Sequence, residues 1–314
     1  MKLMAVLSPP MLKEMIKESY NRINKKKEYL NDLNVFPVPD GDTGLNMTIT
    51  MSKVVEELEK ADDLSIKNAA KAIAKGAFVG AKGNSGVILS QFFVGFAKSI
   101  EDKDSITTEI FANALVSGSE RAYKAVTNPK EGTILTVVKE TADEALLKAT
   151  EGLSWREVVE ACYNRAQKAT ADTPNLLKDL KDAGVIDAGA LGFVYLIQGW
   201  LFVIANSFDG PKVISMNKNL EGLHNKVDTN QSVNDLLFQY CTEALIYDCD
   251  DTEENVKSNF DDKGDSLIVI SDEGSLKLHI HTNSPNDIIN QFAKFGKLKA
   301  AKIDDMKSQT LIAH

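Results

Sequence analysis

What this chain lacks narrows it first. Three cysteines in 314 residues, Cys162, Cys241 and Cys249, are too few for a disulfide framework, so a reducing compartment, the cytoplasm, is expected. Basic stretches are scarce. Net charge is −9, and the cluster "NKKKE" at Asn24–Glu28 is short and flanked by acids, so no nucleic-acid partner is expected. The N-terminal "MKLMAVLSPP" has too short an apolar run for a secretory signal. One apolar run, "GALGFVYLIQGWLFVIAN" at Gly189–Asn206, approaches membrane-spanning length. Gln198 interrupts it, and Asp187 and Asp209 flank it where a span would carry basic residues. It reads as a buried core helix and not a membrane span. No internal repeat or low-complexity tract is present. Neither G-x-x-x-x-G-K-[ST] nor G-x-G-x-x-G occurs, so the phosphate-binding loops of the common nucleotide folds are absent.

What is present suits a globular protein: 43% hydrophobic and 26% charged residues. From Ser8 to about Ser207 apolar residues recur at three and four, as in "MLKEMIKESYNRI", "IFANALVSGSERAYKAV" and "WREVVEACYNRAQKA". Stop and start signals separate these runs at Thr127–Thr133, Glu151–Trp155 and Asp172–Asn175. Residues 1–207 therefore read as one all-helical domain of about eight helices. Residues 208–232 are polar, contain Gly and Pro, and read as a linker. In 233–314 the period changes. "YCTEALIYD" reads as a strand, a helix follows with Asp251 or Thr252 as cap, a hairpin turns around Asp272–Gly274, and a helix and a last strand close the chain. That order is β-α-β-β-α-β, a smaller α+β domain of ferredoxin-like topology.

Four constellations could carry chemistry. In "NVFPVPDGDTGLN" (Asn34–Asn46), Pro37 and Pro39 stiffen the approach to Asp40, and Gly41 and Gly44 allow positive φ and close approach of a ligand. Asp40 and Asp42, two apart on a rigid loop, suit a divalent metal such as Mg²⁺, which takes one or two carboxylates and completes its shell with water and phosphate. A helix starting near Leu45–Asn46 would aim free N–H groups at whatever the metal holds. An EF-hand counted from Asp40 would need Glu where Met51 stands. An ordinary Asp-Gly turn also fits the stretch. The second constellation, "GAKGNSGVILSQ" at Gly80–Gln91, offers backbone amides, Asn84 and Ser85 at another helix start, or simply a close helix contact. In the third, "GVIDAGALGF" at Gly184–Phe193, Asp187 caps a helix beginning near Ala188 and can close the same pocket. The fourth is His279 and His281, two apart on one strand face, with Cys241 on the strand expected beside it. Two imidazoles and a thiolate suit Zn²⁺ with a fourth position open; two strand histidines and a buried free cysteine are the plainer alternative.

Together, "NVFPVPDGDTGLNM", "GAKGNSGVILSQ", "EGTILTVV" and "DAGALGF" closely resemble the ATP-binding subunit of bacterial fatty acid kinase, whose N-terminal domain is similar to the nucleotide-binding L-subunit of dihydroxyacetone kinases. The resemblance implies a helical barrel with Mg–ATP at one open end. It implies that Asp40 and Asp42 hold Mg²⁺, with Asn34 standing where relatives carry a further Asp. It implies that Thr43, Gly44, Asn46, Asn84 and Ser85 meet phosphates, and that Thr133, Ile134, Asp187, Ala188 and Gly189 frame the nucleotide. Cys241, His279 and His281 stand at positions resembling the family's zinc ligands. Thr173–Pro174 occupies the region where dihydroxyacetone kinases have an arginine, so no arginine role is carried over. The implied reaction phosphorylates a fatty acid brought by a separate fatty-acid-binding protein. A homodimer is compatible with this reading, as is a missing C-terminal domain without which the enzyme is incomplete. The rival readings are a non-catalytic nucleotide or metal sensor and a dihydroxyacetone-type L-subunit.

Overall fold

The computed structural model describes residues 6–61, 65–208 and 236–308; residues 209–232 of the expected linker lie outside these. Contacts divide the described residues into two compact units. Of these, one draws on 6–36, 42–123 without 62–64, and 130–208, the other on 37–41, 124–129 and 236–308.

The first unit is all helical. Its elements are α1 (Pro9–Lys25), α2 (Lys27–Asp32), α3 (Thr43–Glu59), α4 (Ile66–Gly80), α5 (Gly83–Ile100), α6 (Thr108–Ala125), α7 (Ile134–Thr150), α8 (Trp155–Leu176), α9 (Lys178–Ala183) and α10 (Ala188–Phe208). Local chemistry sets several starts. Ser8 caps α1 ahead of Pro9, Ser65 caps α4, and Ser154 with Glu157 forms a reciprocal capping box on α8.

α10 is the long apolar run. By length and composition it could cross a membrane, but 94% of its most apolar window is buried inside the protein. It packs on α1, α3, α7 and α8 and is the unit's central helix. Phe193 meets Phe92 edge-on with ring centroids 5.1 Å apart, and Trp200 meets Phe111 at 5.6 Å. Burying each such side chain contributes roughly 1.5–3 kcal/mol. Ser19 ties α1 to α10, its Oγ lying 2.7 Å from Met15 O and 3.0 Å from Leu196 O.

The expected stop at Asp172–Asn175 is overridden. α8 runs through Pro174 to Leu176. Pro174 has no N–H for the Thr170 carbonyl, and the Thr173 hydroxyl donates to that carbonyl instead, at 2.8 Å.

The second unit holds β1 (Tyr240–Tyr247), α11 (Glu253–Ser258), β2 (Asp265–Asp272), β3 (Ser275–Thr282), α12 (Pro285–Phe292) and β4 (Lys297–Asp305). The sheet is antiparallel with order β2-β3-β1-β4, the split arrangement the sequence predicts. Thr252 caps α11, and the hairpin turns on Glu273 (φ 43°) and Gly274 (φ 75°). Val256 on α11, Phe260 just after it, and Ile288 and Phe292 on α12 pack with Ala244, Ile246, Leu276, Leu278 and Ile280 of the sheet. Strand alternation then sends Cys241, Glu243, His279 and His281 to the opposite face. β4 is an edge strand, exposed from Lys297 to Ile303, and its three lysines discourage further pairing.

Candidate functional site

α3 begins at Thr43, two residues before the predicted start, with Asp42 as its N-cap residue (φ −121°, ψ 0°). An aspartate there normally caps the helix with its own side chain, but the Asp42 carboxylate makes no capping bond. Two asparagines from the preceding segment do that work. Asn34 Oδ1 accepts the Thr43 N–H at 3.0 Å and also the Thr43 hydroxyl, and Asn31 Oδ1 accepts the Leu45 N–H at 3.1 Å. Asn34, expected as a third metal ligand, is placed here as a helix cap, its Oδ1 engaged twice by Thr43. Asp40 lies in Pro37–Gly41, the segment that groups with the sheet-containing unit.

Gly44 does not use the positive φ expected of it. It sits inside α3, where an added Cβ would lie 2.1 Å from the Lys27 carbonyl, so its role is close packing on α2. Gly41 does adopt positive φ, at 66°.

The α5 start stands directly beside α3. Gly83 has φ +57°, and a Cβ there would lie 2.1 Å from Asn46 Nδ2. Asn46 is 2% exposed, and its Oδ1 is buried without a hydrogen-bond partner, an acceptor whose desolvation is uncompensated. Asn84 and Ser85, next along α5, are half-buried.

At the start of α7, Thr133 accepts the Leu135 N–H at 3.3 Å and donates to Lys130 O at 2.8 Å. Thr136 accepts the Gly132 N–H at 2.9 Å and donates to Glu131 at 2.5 Å. α10 starts at Ala188 with Asp187 before it. The Asp187 carboxylate accepts the Ala190 N–H at 2.7 Å and a further bond from the Ile134 N–H. Burial pushes its pKa up to about 6, against the pull of those two bonds. A Cβ added to Gly189 would lie 3.3 Å from each of Asp187 Oδ1, Ile134 Cβ and Ser85 Oγ. The starts of α5, α7 and α10 thus converge on Gly189, and the α5 start also touches α3 through Gly83 and Asn46. Four helix N-termini share one end of the bundle, where their dipoles favour an anion, although the Thr43, Leu45, Leu135 and Ala190 N–H groups are already taken by side-chain caps.

Sequence reasoning missed Asn31, Glu131, Thr136 and Thr173. The Asn31–Asn34 spacing before a proline-stiffened loop was the available signal for the first of these. Glu131 and Thr136 bond to each other five residues apart around the α7 start, a local signal that lay within "EGTILTVV", whereas Thr173 reaches Asp187 fourteen residues on and leaves no local pattern.

In the sheet unit, Cys241 faces His281 across β1 and β3, and Glu243 faces His279. One ligand atom from each of Cys241, His279 and His281 lies within 4.8 Å of the others. Cys241 Sγ is 3.8 Å from His279 Nδ1, which is 3.4 Å from Glu243 Oε1, and His281 Nδ1 is 3.2 Å from Asp265 Oδ1. His279 Nε2 is buried without a partner. Burial alone would raise the Cys241 thiol, but His279 and His281 outweigh it and lower it. Burial alone would lower His279, but the charge and hydrogen bond of Cys241 and the Glu243 carboxylate raise it to about 10. Carboxylates holding imidazoles are the arrangement that orients histidines toward a metal.

Comparison with known proteins follows the same division. A family model described as the DAK2 domain matches residues 37–202, and one described as the FakA-like fatty acid kinase middle domain matches residues 237–311. Uncharacterized proteins of Staphylococcus aureus strains MRSA252 and USA300 are each 37% identical over 306 residues, covering 94% of this chain and 55% of theirs. The chain thus spans about half the length of the relatives it matches. Among solved structures, the dihydroxyacetone kinase from C. freundii in complex with AMP-PNP and Mg²⁺ is similar with a TM-score of 0.48 and 16% identity, over 63% of this chain and 34% of that one. With more than half of its length matched by the one model and its sheet unit by the other, the chain belongs to the DAK2-domain family, in the branch that carries a FakA-like fatty acid kinase middle domain.

Proposed function

We propose that the helical unit binds Mg–ATP and transfers the γ-phosphate to the carboxylate of a fatty acid, giving an acyl phosphate. The observation that carries this reading is the start of α3. Asp42 occupies an N-cap position, yet its carboxylate is released from capping because Asn31 and Asn34 have taken that task. A carboxylate so placed, with Asp40 two residues earlier in the chain, suits a cation that accompanies a polyphosphate. Magnesium, when bound, would neutralise charge on the phosphates being transferred.

The chain's own groups would do the rest. At the α3 start the Gly44 N–H and the Asn46 side-chain amide would donate, on a turn that Thr43 holds in place through Asn34, and Asn84 and Ser85 would donate at the α5 start. Thr133, Ile134 and the Asp187–Ala188–Gly189 turn would frame the nucleotide. Asn46, with its buried amide, would fix the register between the first two groups. A carboxylate acceptor is already anionic at neutral pH, so positioning and charge neutralisation suffice without a strong base. That is consistent with the absence of a His–Asp or Ser–His pair among these residues.

The match to the FakA-like fatty acid kinase middle domain supports a fatty acid as acceptor, presented by a separate fatty-acid-binding protein, in preference to a triose. Three free cysteines suit a cytoplasmic setting. In the sheet unit we propose Zn²⁺ held by Cys241, His279 and His281. The buried, unpartnered His279 Nε2 and the flanking Glu243 and Asp265 fit that ion.

Two measurements test the reading. Thermal unfolding with and without Mg–ATP should show stabilisation that Asp42→Ala abolishes. Phosphate transfer from ATP to a fatty acid should occur only when the loaded binding protein is supplied. Nucleotide binding without any transfer would favour a sensor instead.

A further inference from the structure

The end of α8 contains a device that the sequence motifs did not absorb. Pro174 removes the N–H that would have served the Thr170 carbonyl. Thr173 Oγ1 donates its one proton to that carbonyl at 2.8 Å, so only a lone pair remains, and it accepts the Asp187 N–H at 3.1 Å. Thr173 is fully buried, and Asp187 is 6% exposed. Asp187 in turn holds the Ala190 N–H of α10 and the Ile134 N–H of α7. A chain of single hydrogen bonds therefore runs from Pro174 to two of the converging helix starts, and each link has a fixed direction.

We propose that Thr173 is a positioning residue for the nucleotide site. Its hydroxyl, oriented by the missing donor at Pro174, fixes the Asp187 turn and through it the starts of α7 and α10. This rests on the reading of those helix starts as a nucleotide site. Thr173 touches no phosphate itself. A valine of the same shape would leave both the Thr170 carbonyl and the Asp187 N–H buried without partners, whereas serine would keep both bonds.

Pro174 makes the two consequences separable. In Thr173→Val the carbonyl loses its donor and the Asp187 turn loses its acceptor. In Thr173→Val/Pro174→Ala the alanine N–H serves the carbonyl again, but the Asp187 N–H remains orphaned. The test measures unfolding of the apoprotein and the Kd for Mg–AMP-PNP in wild type, Thr173→Ser, Thr173→Val and the double variant. Stability should drop in Thr173→Val and largely return in the double variant, while Kd should stay raised about tenfold in both, corresponding to the loss of one net hydrogen bond, and near wild type in Thr173→Ser. If Kd recovers together with stability, Thr173 is only structural and the inference falls. If wild type itself does not bind Mg–AMP-PNP, the nucleotide reading falls. Amide exchange then judges the device alone, because in the double variant the Ile134 and Ala190 amides should exchange faster than in wild type. Unchanged exchange there overturns the proposal.

Discussion

The carboxylate of Asp187 accepts the backbone N–H of Ile134, 53 positions earlier in the sequence, so one buried side chain joins the first residue of α7 to the start of α10. That position has a measurable cost. The pKa rises from 3.8 to about 6 because burial disfavours the charged form. The folded state therefore holds its proton more tightly than the unfolded chain. The penalty is absent below pH 4, grows as pH rises from 4 to 6, and is complete above 6, where it is worth about 3 kcal/mol at roughly 1.4 kcal/mol per tenfold. Urea unfolding of wild type and Asp187→Asn across this range should differ in slope, with wild type losing stability relative to the variant as pH rises. Parallel profiles would mean that Asp187 is not buried as a carboxylate.

Gly83 and Gly152 separate crowding from backbone strain. Both have positive φ, 57° and 75°, but a Cβ meets Asn46 at the first and nothing within 4 Å at the second. Gly152→Ala should cost about 1 kcal/mol, the ordinary penalty of the left-handed region. Gly83→Ala should cost about 3 kcal/mol, through added overpacking, and should also weaken Mg–ATP binding by moving Asn46. Equal losses in chemical denaturation would remove the close approach of α3 and α5.

Asn34 and Asp42 should part company in the same assay. Asn34→Ala deletes a cap and should lower apoprotein stability by about 1–2 kcal/mol. Asp42→Ala deletes no capping bond and should leave apoprotein stability within about 0.5 kcal/mol. With Mg–ATP at a hundred times its Kd, wild type should gain about 2.7 kcal/mol and Asp42→Ala almost none. A retained ligand effect in Asp42→Ala would remove this carboxylate from the metal site.

The zinc assignment is checked by metal content. Purified protein dialysed against metal-free buffer should retain about one zinc per chain, and Cys241→Ala, with one of three ligands gone, should retain far less. The same variant should unfold normally in its helical unit, read from the Trp155 and Trp200 fluorescence. No bound metal in wild type would overturn the zinc assignment and leave the Cys241 thiol, lowered by the two histidines, beside the raised His279 imidazole.

Much of the fold was legible because long helices repeat their period often enough to be counted. The split sheet was legible from the change of period, the Thr252 cap and the glycine at the hairpin. The six-residue helices α2 and α9 were not, since fewer than two turns carry no countable period. Pro174 read as a stop because a proline removes a donor. The hydroxyl one residue earlier that replaces it is invisible to propensity. The site was legible as motifs but not as an assembly. Each helix start announced itself locally, whereas the Asp187–Ile134 bond and the meeting at Gly189 join residues far apart in sequence. The capping role of Asn34 was hidden for the same reason, because its partner Thr43 is nine residues away.

Capping α3 from Asn31 and Asn34 has a last consequence. The two side chains that cap its first turn stand ahead of the proline-stiffened stretch, 35–41, that carries Asp40. A change of the Asp42 side chain therefore leaves both of these caps in place, because that carboxylate makes no capping bond. Anchorage and grip are thereby assigned to different residues, and selection can retune one without disturbing the other.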